Sequence, residues 1–170
     1  MLYIVSYKKG SANKMAKING YELKNVRTSE FRGYVQTECV VYYNGKKLAT
    51  LEDDGRSALD ILFDDNTLSK EDREQHYANI DAWWLDIIEF NQLEKHLKKA
   101  LKDGYDCVVA IDLGTLNTSY IRIKYDKAKD TVEAKHKNND IKYFRSLDDF
   151  VINDETYISI YHDMIYGKVN

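Results

Sequence analysis

Residues 37–55, "TECVVYYNGKKLATLEDDG", constrain this chain more than any other stretch. Two β-rich runs flank Asn44-Gly45, the pair favoured in a type I′ hairpin turn because both central positions need positive φ. A two-residue loop sets Tyr43 against Lys46, Val41 against Leu48 and Cys39 against Thr50. Tyr42 then meets Lys47, and Val40 meets Ala49, on the other face. Asp53-Asp54-Gly55 makes a second turn, and "SALDILF" follows as a strand with Leu59, Ile61 and Phe63 on one side. Upstream, "YELKNVRTSE" and "GYVQTE" supply a strand and its approach, completing an antiparallel meander.

A long helix comes next. Ser69 and Asp72 stand at capping-box spacing, and the acidic first turn suits the helix dipole. Tyr77, Ile80, Trp84, Ile87, Phe90, Leu93, Leu97 and Leu101 recur every three or four residues. Lys98, Lys99 and Lys102 precede Gly104, a C-terminal signature. The spacing predicts one helix over 69–102, or two meeting near Asn91, with an apolar stripe covering the sheet. Trp84 falls on that stripe and Trp83 off it, so Trp84 is expected in the core and Trp83 exposed.

Beyond the helix, "DCVVAI" and "TSYIRIKYD" read as a second β-hairpin, followed by a basic polar run, "KAKDTVEAKHKNND". "IKYF", a short helix at "SLDDFV" (Ser146 and Asp149 repeat the capping spacing) and "TYISIYHDMIY" form a mixed tail. The expected fold is α+β: an antiparallel meander packed by a long amphipathic helix, then a second hairpin and the tail. Residues 1–14 read as a leader or edge strand. Residues 15–170 read as one domain, comprising an N-terminal sheet (15–66), the helical segment (69–102) and a β-rich C-terminal part (106–170).

Charge is unevenly spread. Residues 1–50 hold nine Lys/Arg and three Asp/Glu, residues 51–90 three and twelve, and the remainder thirteen of each, which returns the net −3 of the chain. The acidic segment includes Glu52, Asp53, Asp54, Asp60, Asp64 and Asp65, with Trp83 further on. A charge asymmetry of this size points to a surface with two electrostatic faces. Those seven residues are the candidate contacts with a partner.

Other chemistry finds less support in the residues. Cys39 and Cys107 have no metal or disulfide spacing and read as reduced core thiols, which places the chain in a cytoplasm. The opening residues offer no secretory h-region, and no window approaches a membrane span. His76, His96, His136 and His162 share no ligand spacing. No nucleophile motif or Walker-type loop is present, so no catalytic residue, cofactor or metal is assigned and the chain reads as a non-enzyme. An alternative, a small metal-dependent nuclease, would draw on Asp53, Asp54, Asp60, Asp64 and Asp65 with Glu38 across the hairpin. Direct nucleic-acid binding through the lysine-rich stretches, with tyrosines as stacking platforms, is a further alternative.

Two segments resemble known families. Residues 107–125, "CVVAIDLGTLNTSYIRIKY", resemble the first phosphate-binding hairpin of the actin, Hsp70 and sugar-kinase superfamily. That resemblance implies magnesium organised by Asp112 and phosphate contacts at Gly114, Thr115, Asn117 and Thr118. Those folds need two large lobes and open on this hairpin, whereas here more than a hundred residues precede it and 45 follow Tyr125. A plain antiparallel hairpin turning at residues 113–116 is therefore expected. Residues 31–64 are similar to a segment of small proteins of Firmicutes phages and mobile elements, a group that includes anti-CRISPR proteins. This resemblance implies a phage-type inhibitor in the host cytoplasm that binds a host defence protein or nucleoprotein complex, such as a CRISPR effector, by presenting its carboxylates as nucleic-acid mimicry. A homodimer through an exposed sheet edge is a further expectation.

Overall fold

A computed structural model of the chain describes residues 16–56, 59–112 and 118–153. The leader or edge strand expected at 1–14, the turn at 113–116 and the run at 156–166 lie outside the described residues. Nine strands, two α-helices and one 3₁₀ turn occur among those described. They are β1 (Lys17–Ile18), β2 (Tyr21–Phe31), β3 (Tyr34–Tyr43), β4 (Lys46–Asp53) and β5 (Asp60–Phe63), then α1 (Lys70–Lys102), β6 (Cys107–Asp112) and β7 (Thr118–Ile123). Next come α2 (Tyr125–Lys135), β8 (Ile141–Phe144), the 3₁₀ turn (Leu147–Phe150) and β9 (Val151–Ile152).

The first sheet has the order β5-β4-β3-β2-β1-β9, antiparallel except where β9 lies parallel to β1. Its hairpins turn at Asn19-Gly20, Arg32-Gly33 and Asn44-Gly45, each with φ positive at both residues. This is the I′ signature that matches strand twist. The expected turn at Asn44-Gly45 is present, with Tyr43 opposite Lys46 and Tyr42 opposite Lys47. Beyond it the register departs from strict alternation. Val41 faces Ala49, Val40 faces Thr50 and Cys39 faces Leu51, leaving Leu48 as the extra residue of a bulge. The cause is in the residues: Leu48 and Ala49 are both apolar and adjacent, and the bulge lets both be buried. A second bulge sets Asn25 and Val26 against one residue of β3, with Asn25 at φ 54.

The helix α1 is continuous through Asn91, and the Ser69 hydroxyl accepts from the Asp72 N–H at its N-terminus. Ile80, Trp84, Ile87, Phe90, Leu93, Leu97 and Ala100 are buried, each large side chain contributing roughly 1.5–3 kcal/mol by leaving water. The helix lies between two sheets rather than over one. On one side Asn91 donates to the Leu23 carbonyl, and on the other the Tyr120 hydroxyl reaches Glu89. The second sheet, β7-β6-β8, turns Val108, Ala110 and Phe144 toward α1. Its other face buries Cys107, Val109 and Ile111 against Val132 of α2. Coverage of both faces explains the unbroken apolar run of β6. The basic polar run, to which the sequence assigned no element, takes part in a helix from Tyr125 to Lys135. Its apolar side is only Tyr125, Ala128 and Val132, too sparse to stand out among its charges. The layers run sheet, helix, sheet, helix. Ser146 and Asp149 form the expected capping box, on a 3₁₀ turn.

Candidate functional site

Side chains of the first sheet alternate between α1 and an outer face. Cys39, Val41, Leu51 and Ile61 point to the helix, so their neighbours Glu38, Glu52 and Asp60 point away. Register sets these three directly across from one another: Glu38 opposite Glu52, and Glu52 opposite Asp60. All three are exposed, and Arg27 lies opposite Glu38 on the far side. Like charges directly opposite on adjacent strands are unfavourable by roughly 0.2–1 kcal/mol per pair. The row thus works against a sheet whose other pairings agree with the fold.

Asp53, opposite the buried Thr37 and so on the other side of β4 from Glu52, and Asp54 shape the turn that follows. Asp53 Oδ1 accepts from the Gly55 N–H at 3.1 Å and Asp54 Oδ1 from the Arg56 N–H at 2.8 Å, shaping the turn as aspartates do. Asp64 and Asp65 lie at the opposite end of β5. Lys47 Nζ is 2.8 Å from Asp64 Oδ2. Asp65 accepts from the Thr67 hydroxyl and N–H, which hold its carboxyl below the usual range. The carboxylates therefore divide into an aligned row of three (Glu38, Glu52, Asp60), two turn aspartates (Asp53, Asp54) and a separate pair engaged locally. Trp84 is buried as expected, but Trp83 is half-buried rather than exposed, its ring centroid 5.7 Å from that of Tyr21. Tyr21 of β2 offers the Trp83 ring an aromatic partner.

Sequence reasoning missed the neighbours of the row. The β2–β3 hairpin extends past β4 as a two-stranded arm, exposed along nearly its whole distal length. Phe31 and Tyr34 face each other at its tip, 53% and 44% exposed, on the same outer face as the carboxylates. The Arg56 guanidinium lies 4.1 Å from the centre of the Tyr34 ring, a cation–π contact. Gly55, at φ +72, lets the β4–β5 turn press on the arm: a Cβ there would stand 2.5 Å from the Val35 carbonyl oxygen. The available signal was Arg32-Gly33, a turn pair as short as Asn44-Gly45 but without the asparagine that usually marks it.

A second polar cluster lies between α1 and the second sheet. Tyr120, Ala110 and Lys142 are cross-strand neighbours there. The Tyr120 hydroxyl is 3.2 Å from Glu89 Oε1, and its ring stacks on His96. Burial pulls the Lys142 ammonium down to about 8 against the opposing pull of Glu89 and Asp140, and pushes the Tyr120 phenol up to about 12. Burial also pushes the Cys39 thiol up to about 12 and Cys107 to about 11, so neither is a thiolate at neutral pH. Among the described residues no group of three or more His, Cys, Asp or Glu could hold a metal ion, and no helix is long and apolar enough to cross a membrane. Comparison with protein families, curated proteins and solved structures returned no match.

Proposed function

We propose that this protein is a non-enzymatic binding module whose acidic row engages the basic surface of a nucleic-acid-handling protein, acting as a phage-type inhibitor of a bacterial defence complex such as a CRISPR effector. The observation that carries the reading is the Glu38–Glu52–Asp60 alignment across three strands. Such an arrangement costs stability in the free chain and is relieved when cationic groups approach. A groove that grips phosphates supplies such groups, since lysines and arginines dominate nucleic-acid affinity. Tyr34 and Arg56 beside the row belong to the residue types enriched at interface hot spots.

The test is capture of partners from a bacterial lysate containing a CRISPR system, with nuclease treatment, by wild-type chain and by a Glu52→Lys/Asp60→Lys variant. Support is a stoichiometric nucleic-acid-binding protein that survives nuclease, is displaced by added DNA or RNA, weakens with salt and is lost in the variant. A partner retained equally by the variant, or capture of nucleic acid alone, would refute the acidic row as the binding surface.

A further inference from the structure

The outer face of the arm is self-complementary. Ser29 and Gln36 pair at its middle. Two residues from Gln36 on the same face stand Tyr34 toward the tip and Glu38 toward the base. Two residues from Ser29 stand Phe31 toward the tip and Arg27 toward the base. Arg56 extends the tip end on the β4 side by lying over Tyr34, while Glu52 extends the base end on that same side by pairing with Glu38. One end of the face is therefore aromatic and cationic on the β4 side. The other is anionic on the β4 side, with a guanidinium on the β2 side.

A two-fold axis above the outer face at the Ser29–Gln36 pair, parallel to the sheet and running across the strands, reverses strand direction and keeps the lateral order. It lays each end of the face over the other end in a second copy. Arg56 then meets Glu52 and Glu38 of the other chain, and Phe31 meets its Arg27. Stacked sheets lie about 10 Å apart, a gap that arginine and aromatic side chains span from both sides. An isologous interface requires this kind of self-complementarity.

We propose that the outer face of the β2–β3 arm is a homodimer interface whose occupant is a second copy of this chain, anchored by Phe31 and Tyr34 and held in register by Arg56 on Glu52. Exposed aromatics at the end of a two-stranded arm support this reading, because such a hairpin has little independent stability and gains it from a packed face. The proposal needs only the chain itself and stands apart from the partner reading above. A basic partner would compete with the second copy for the same carboxylates.

The experiment is sedimentation velocity on the full chain from micromolar to near-millimolar concentration, at low and high salt. It compares wild type, Arg56→Glu, Glu52→Arg and the double variant. The expected result is a reversible dimer weakened by salt, with dissociation increased about tenfold or more by either single reversal and restored in the double variant. Both positions are exposed, and unchanged circular dichroism verifies that each variant is folded. A chain that stays monomeric throughout the range overturns the proposal. So does a dimer indifferent to both reversals, or a double variant that remains dissociated.

Discussion

The hydroxyl of Tyr21 sits between two side chains of α1, 2.6 Å from His76 Nδ1 and 3.1 Å from the donating Asn79 amide. The oxygen accepts from Asn79, and a phenol proton given to Nδ1 pairs with a neutral His76 that carries its own proton on Nε2. Burial accordingly holds the imidazole below its ordinary 6.5. As pH falls through 6.5 the unfolded chain takes up this proton first, so stability present above that value is lost. Chemical denaturation across this range should show a weaker pH dependence in His76→Gln, even though its stability at neutral pH is lower. Lys142 works in a higher window. With its ammonium pulled from 10.5 to about 8, the unfolded chain holds the extra proton between those values, and this group's contribution to stability rises with pH. Lys142→Met should stabilise the protein at pH 7 by about 1–2 kcal/mol, discounted for the partial exposure of the ammonium. That gain should shrink as pH rises from 8 to 10.5. A gain that does not vary with pH would assign the effect to packing instead.

At the scale of elements, glycines near the arm separate conformational strain from close approach. Gly33 has φ +80 and open space around it, so Gly33→Ala costs only the left-handed conformation, about 1 kcal/mol. Gly55 has φ +72 and meets the Val35 backbone, which cannot move aside without unpairing the arm, so Gly55→Ala should cost about 2–3 kcal/mol. Equal losses in urea titrations would mean that the turn does not brace the arm. The same elements mark what the sequence discloses. The helix from Lys70 to Lys102 was legible almost to the residue, because Ser69 caps it and its apolar spacing is regular. The Asn44-Gly45 turn was legible from residue chemistry, but the Leu48 bulge was not: both registers keep Tyr43 opposite Lys46, and only tertiary burial of Leu48 with Ala49 chooses between them. Carboxylates at 52 and 60 were visible as a charge run. Their alignment with Glu38 depends on that bulge, since the bulge brings Glu52 rather than Leu51 opposite Glu38. Helix α2 was missed because three apolar contacts in eleven residues do not outweigh its charges.

For the whole molecule, the placement of α1 decides how the layers depend on one another. Its side chains share one core with the first sheet, with Val108, Ala110 and Phe144 of the second, and with Phe150. Phe90 packs edge-on against Phe150, with ring centroids 6.1 Å apart, and Phe150 stacks on Phe144 at 5.0 Å. Loss of the Phe90 ring opens a cavity that neither sheet can close alone, so Phe90→Ala should cost about 3–5 kcal/mol. Val132, by contrast, belongs to the separate cluster between α2 and the second sheet. Val132→Ala should cost about 1–2 kcal/mol and act locally. Native-state hydrogen exchange distinguishes these outcomes. In Phe90→Ala, amides of β3 and of β6 should lose protection by the same free energy, because both sheets use the helix as their common wall. In Val132→Ala the added exchange should be confined to α2 and its immediate contacts. If Phe90→Ala left β6 protected while β3 opened, the two sheets would be independent folding units and α1 would belong to the first alone.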